Sequence, residues 1–386
     1  MVEQRGPMTA ELGIEPDDLR ILRGLARRRV ELSLDPVNQE RREAWYRHDA
    51  GADDSRPMVL IESGGVSDEV KVLPDSVLQC KGQDARGIEW AFRQEFYQFD
   101  VLKDDHVIEP FWNIGWSVDV SDYGVQSMQH YSENFAGMGS RTWEIPIKDL
   151  DRDFEKLRPR TYSVDREVTM TSKAYHEAIF EDSLPVRIRG GFWWTTGMTW
   201  SAIDLVGLEN LMLYMMDNPD GLHRLMAFLR DEHIAYAKWL EKEQLLSLNN
   251  ENDYIGSGSM GYSRDLPQSD WTPGTPIRLK DQWVLSESQE TVGVGPALFE
   301  EFVFPYQLKV IELFGKCYYG CCEPVHNRLH VLKRYPNLAR VSVSPWADEA
   351  FMARELGRDY VYSRKQNPTL ISTHFDEEAI RADLRN

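Results

Sequence analysis

The sequence predicts an α/β fold, a TIM (β/α)8 barrel with an N-terminal helical extension. Three observations carry that expectation. Short apolar runs alternate with long helical patterns along most of the chain, as in a parallel sheet with helices outside it. Polar or reactive residues follow those runs again and again: Glu62, Glu109, Glu287, Cys321 to Glu323, Ser344, Asp348, Arg364 and Lys365. In (β/α)8 barrels the strand C-termini converge on one active-site mouth. Finally, a chain of 386 residues, 42% hydrophobic, holds ample material for one large core.

Taken in order, residues 16–48 read as helix, with Asp17 and Asp18 at its start and Leu19, Leu22, Leu25 and Ala26 at helical spacing. The first strand is expected at Met58–Glu62, and a helix follows over about 85–100. Further strands are expected at 107–112, 186–190, 254–256, 282–285, 317–319, 341–343 and 360–362. Helices are expected at 203–216, 219–246, 296–315, 326–335 and 348–356. The domain reading is therefore a helical extension over 1–50 and a barrel over 51–386. With 254–258 treated as an insertion, 360–363 counts as strand seven. The last strand–helix unit is then lacking, which leaves three readings: the 250s run is a true barrel strand, the sequence is truncated, or a partner subunit, from a homo- or hetero-oligomer, completes the barrel.

Composition excludes several classes of function. A formal charge of −19 and a pI near 5.0 argue against a nucleic-acid partner, which needs a basic face. No apolar run approaches the roughly 18 residues that span a bilayer. The first residues lack the apolar core of a secretory signal. Four cysteines, two of them adjacent, make no disulfide framework, and Cys321 and Cys322 look poorly placed to pair with each other. The expected compartment is the reducing cytoplasm.

The chemistry concentrates at Tyr318-Tyr319-Gly320-Cys321-Cys322-Glu323-Pro324, with His326 close behind. Thiolate, carboxylate and imidazole are zinc ligands, so Cys321, Cys322, Glu323 and His326 are candidate metal ligands. The bland alternative is a packed strand end, since free cysteine is often buried. Alternation predicts that the two thiols point to opposite faces unless the backbone turns there. Cys317 reads as packed, Cys80 as packed or at the surface, and His330 as a surface or packed histidine. After the next strand back, Glu287 and Glu290 are candidate acid–base groups, and Gln289 can both donate and accept hydrogen bonds. Glu62, Trp112, Trp193, Trp194, Trp346, Arg364 and Lys365 are candidate substrate contacts, the aromatics as pocket walls and the cations as anion anchors. Gly256 to Gly261 has dinucleotide-loop spacing but opens into turn-rich sequence, so no nucleotide is expected there.

The run Gly295 to Tyr306 resembles the helix start shared by uroporphyrinogen decarboxylases and corrinoid-protein methyltransferases. Leu184 to Thr199 looks like the third strand and following helix of the same superfamily, and Val341 to Asp348 and Tyr362 to Pro368 like its sixth and seventh strand ends. The resemblance covers about residues 57–375 and implies a TIM barrel.

It also implies chemistry. The methyltransferase branch carries zinc on a His-x-Cys pair after strand five and on a later cysteine after strand eight. Here the pair falls at Tyr319-Gly320-Cys321, with the cysteine matching and tyrosine in the histidine position, and no cysteine follows Cys322. The decarboxylase branch carries an arginine-rich clamp where this chain has Glu62-Ser63-Gly64-Gly65-Val66. Porphyrinogen decarboxylation is therefore not expected, because its carboxylates would find no partners. The reading is a cytoplasmic, zinc-dependent methyltransferase or demethylase. It would exchange a methyl group between a small substrate and a corrinoid protein, with cobalamin carried by that partner. The alternatives are a decarboxylase of a small carboxylated substrate and a non-catalytic barrel subunit.

Overall fold

The structure, a computed structural model, describes residues 13–62, 73–131, 141–191, 195–372 and 375–385. The chain divides into two compact units, one formed by residues 1–120, 130–142 and 161–191, the other by 121–129, 143–160 and 192–386.

In the first unit, the helix expected over 16–48 is two helices, α1 (Pro16–Ser33) and α2 (Pro36–Asp49). Pro36 has no N–H to continue α1 and suits the first helical position. Asp35 caps the new helix by accepting from the Val37 amide at 2.8 Å. Leu19, Leu22 and Ala26 of α1 bury against Ile88 and Phe92 of α3 (Gln83–Tyr97) and Ile179 and Phe180 of a later helix. Cys80 is buried in the same core.

The strand expected at Met58–Glu62 does not form. Its amides turn instead to carboxylates: Val59 donates to Asp105 and Ile61 to Asp104, each at 2.7 Å. Those side chains satisfy the main chain without a ladder. The strand expected at 107–112 begins only at its last residue, as β1 (Trp112–Ile114). An antiparallel pair, β2 (Ser117–Val120) and β3 (Tyr162–Asp165), follows, then α4 (Arg166–Phe180) and β4 (Val186–Ile188), which runs parallel to β1.

In the second unit, α5 (Thr199–Val206), α6 (Leu208–Asp217) and α7 (Pro219–Lys242) lead to a short antiparallel hairpin, β5 (Tyr254–Gly256) with β6 (Ser259–Met260). A four-stranded parallel sheet follows: β7 (Trp283–Ser286), β8 (Lys316–Tyr319), β9 (Leu338–Val343) and β10 (Val361–Arg364), adjacent in chain order. Between the strands lie α8 (Pro296–Phe302), α9 (Phe304–Ile311), α10 (Leu329–Leu332) and α11 (Glu349–Leu356). The protein is thus α/β. The expected helix over 296–315 is broken in two because Pro305 cannot donate to the turn before it.

The 250s run belongs to no strand of that sheet. Its hairpin lies on the face that carries Trp283, Leu285, Tyr318 and Arg340. Trp283 donates its indole N–H to the Gly261 carbonyl at 2.8 Å, and Tyr318 its hydroxyl to the Ser257 carbonyl at 2.8 Å. Buried Arg340 stacks over Trp283 at 4.5 Å and donates to Ser259 Oγ at 2.8 Å. A Cβ on Gly256 would sit 2.3 Å from the Tyr318 ring, and one on Gly261 2.1 Å from the Asn249 carbonyl. These glycines permit close packing rather than phosphate binding.

A candidate acid–base site at the ends of β7 and β8

Residues 286–290 leave β7 and residues 320–323 leave β8 at the same edge of the sheet, because the strands are parallel and in register from Trp283↔Lys316 to Ser286↔Tyr319. Three carboxylates gather there. Glu287 is buried, accepting from Thr195 Oγ1 through Oε1 and from the Gln289 amide through Oε2, both at 2.8 Å. Glu290 accepts from Thr199 Oγ1 at 2.7 Å, while its Oε1 is buried with no partner among the described residues. Glu323 is buried and accepts from the Ser288 and Cys321 amides, each at 2.9 Å.

Burial disfavours the charged form of a carboxyl, and neighbouring negative charge adds to that. Burial first, then Glu290 and Glu323, push the Glu287 carboxyl from 4.5 up to about 8. Glu323 is also raised by burial, against the pull of its main-chain donors. Glu287 therefore keeps its proton at neutral pH beside Glu290.

Sequence reasoning missed the supports of this site. Gln307 on α9 is buried and donates to the Gly197 and Glu287 carbonyls at 2.8 and 2.7 Å. Its oxygen accepts from Tyr319 and Tyr335 at 3.0 and 2.9 Å. Arg328, also buried, donates to Thr291 Oγ1 and the Thr291 carbonyl and stacks on Phe299, fixing the turn after Glu290. Gly197 fits where nothing larger does, since a Cβ there would lie 2.2 Å from the Glu287 carbonyl. Flanking it, Thr195 and Met198 hold φ of 40° and 67°. Strain of that kind in non-glycine residues collects at functional sites. The only advance signal was the Gly–Met–Thr end of the Leu184 to Thr199 run; nothing marked Gln307.

A cleft of about 540 Å³ opens beside the carboxylates, lined by Gln289, Glu290, Val292, Cys322, Glu323, Pro324 and Trp346. That is within the roughly 300–1,000 Å³ of small-molecule sites. Trp346 stands 56% exposed on its wall. The two thiols do not point apart as alternation predicts. Gly320 at φ 100° ends the ladder, the chain bends through 321–323, and the sulfurs come to 3.6 Å. The hydrogen bond between them brings the Cys322 thiol down to about 6 and pushes that of Cys321 up. Cys317 is in the core, its thiol raised by burial.

Among the described residues, Cys321, Cys322, Glu323 and His326 are not gathered as a ligand set for zinc. Two sulfurs at 3.6 Å suit a shared ion, but a catalytic zinc takes at least three protein ligands. Both Glu323 oxygens are taken up by main-chain amides. His326 Nδ1 accepts from the Asp348 amide at 3.3 Å, and its ring lines a separate pocket with His330 and Glu355. Among the described residues no group of three or more His, Cys, Asp or Glu side chains is arranged to hold a metal ion.

The remaining candidates scatter. Arg364 is engaged by Glu349 and by Asp383 of α12 (Glu377–Arg385), with contacts near 3.1 Å, so it is not an anion anchor. Lys365 lies over the Tyr318 ring and bonds the Ser257 carbonyl and the Tyr318 hydroxyl. Trp112 is not a pocket wall; it packs on Phe92 and Phe180 at 5.1 and 5.2 Å in the core of the first unit. Glu62 is exposed in that unit. Trp193 and Trp194 lie outside the described residues. No helix among the described residues is long and apolar enough to cross a membrane. Comparison with protein-family models and with curated proteins finds no match for this chain.

Proposed function

We propose that this protein is an enzyme of uroporphyrinogen decarboxylase-like architecture that demethylates an uncharged small molecule, using proton donation where the corrinoid-protein methyltransferases it resembles use zinc. The observation that carries the reading is the protonated Glu287 beside Glu290 at the ends of β7 and β8. When a C–O or C–N bond to methyl breaks, the electron pair stays on the heteroatom, which then needs a proton. Glu287 is the proton store, and Glu290, with a buried unpaired oxygen, holds the substrate's polar edge. Trp346, Val292 and Pro324 supply the apolar wall. The methyl group leaves to an external nucleophile, which the family resemblance makes a corrinoid protein. A barrel is the matching proposal for the fold, supported by four consecutive parallel strands with helices between them.

The lining of the cleft favours this reading over the decarboxylase alternative. The cleft wall carries Glu290 and Glu323 and, among the described residues, no cation. A carboxylated substrate would find no compensating cation there. The test is a panel of neutral methoxylated aromatics, with reduced cobalamin as acceptor and demethylated product followed by mass spectrometry. Product is expected with the wild type, and Glu287→Gln should lower its rate by roughly 100-fold or more. CO₂ release from carboxylated analogues, with no demethylation, would instead support the lyase.

A further inference from the structure

The adjacent cysteines, which the sequence alone gave no reason to pair, lie with their sulfurs 3.6 Å apart on the wall of an open cleft. We propose that Cys321 and Cys322 form a peroxide-responsive dithiol, a modification site that closes reversibly to a vicinal disulfide. This goes beyond the demethylase reading and does not depend on it.

Cys322 is exposed and lines the cleft, so a small oxidant reaches it without any movement of the fold. Cys321 is half-buried directly beside it and is the only thiol described near enough to answer. Cys80 and Cys317 are buried in two separate cores and do not compete. A disulfide bond is about 2.05 Å long, so the sulfurs must approach by roughly 1.5 Å. The chain permits that where it is needed, because residues 321–323 have left the ladder after Gly320. Tethers on either side keep the rearrangement local: the Cys321 amide holds Glu323, and the Cys321 carbonyl accepts from Ser342 Oγ at 2.8 Å. Among the described residues no third His, Asp or Glu joins the two sulfurs as a metal ligand.

The steps balance with hydrogen peroxide as the oxidant. The Cys322 sulfur attacks one peroxide oxygen, the O–O bond breaks, and a sulfenic acid and water form. The Cys321 sulfur then attacks the sulfenic sulfur, the S–O bond breaks, and a second water leaves with the Cys321 proton. Two thiols are oxidised by two electrons, and one peroxide is reduced to two waters. The disulfide removes the thiol from the cleft wall, and thiol reductants restore it. An accessible sulfur next to a resolving partner is the arrangement that favours this path over irreversible oxidation.

Full-length protein treated with one equivalent of hydrogen peroxide is expected to lose two free thiols and about 2 Da per chain. Fragmentation should place the link between Cys321 and Cys322, and dithiothreitol should reverse it. Cys317→Ala, which removes the other thiol of the same tryptic peptide, should behave as the wild type does. Cys321→Ser should trap a sulfenic acid at position 322 that reacts with dimedone, and Cys322→Ser should resist oxidation. Irreversible oxidation of Cys322 in the wild type, a link between chains, or no reaction would overturn the proposal. So would stoichiometric zinc in the purified protein that both serine variants lose.

Discussion

Glu287→Gln is expected to stabilise the protein at pH 8 while lowering its activity. In the folded chain Glu287 holds its proton up to about pH 8, whereas an ordinary glutamate loses it near 4.5. Between those values the folded state carries a proton that the unfolded state has released. The stabilisation is fully present below pH 4.5 and is lost as pH rises through about 8, with a slope of up to ~1.4 kcal/mol per pH unit. Glutamine is uncharged throughout and can replace the protonated side chain, donating to Thr195 and accepting from Gln289. Chemical denaturation of both proteins at pH 5 and pH 8 measures the effect. The variant should gain on the wild type by a few kcal/mol, order of magnitude, between the two. Parallel pH profiles would show that Glu287 ionises as it does in water.

The second large effect is expected at Gln307. Its amide donates to two buried carbonyls and accepts from two buried tyrosine hydroxyls, so all its hydrogen-bonding groups are in use. Gln307→Leu keeps the bulk and strands three polar groups, the Gly197 and Glu287 carbonyls and the Tyr335 hydroxyl, while Tyr319 keeps Ser288 Oγ at 2.9 Å. Each buried group left unpaired costs about 1–3 kcal/mol, so a loss of at least about 3 kcal/mol is expected. The denaturation midpoint should fall accordingly. Activity should fall with it under conditions where the variant is still folded, since Gln307 fixes the main chain of both Gly197 and Glu287. A shift under about 1 kcal/mol would mean that water replaces the lost partners.

Where each strand of the parallel sheet lies could be read from the chain, because short β-branched and aromatic runs between amphipathic helices have few other uses. The same reading put Glu287, Glu290, Glu323, Cys322 and Trp346 at strand ends, and the structure brings them to one neighbourhood. It failed where a side chain takes over the work of the main chain. Met58–Glu62 has the residues of a strand, but Asp104 and Asp105 satisfy its amides. It failed also where one residue reverses a pattern: Pro36 splits a helix, and Gly320 turns two thiols toward each other. The supports of Glu287 were invisible for a different reason. Thr195, Gly197 and Gln307 reach it across 92, 90 and 20 positions, and no local periodicity encodes partners so far apart.

Central to the proposed function is a carboxyl that stays protonated at neutral pH in a cluster of three. The direct measurement is the titration of the Glu287 side-chain carboxyl by carbon-13 NMR, its resonance identified by its absence from Glu287→Gln. A midpoint near 8 is the predicted result. A midpoint near the ordinary glutamate value of 4.5 would contradict the proton-donor site and the function built on it.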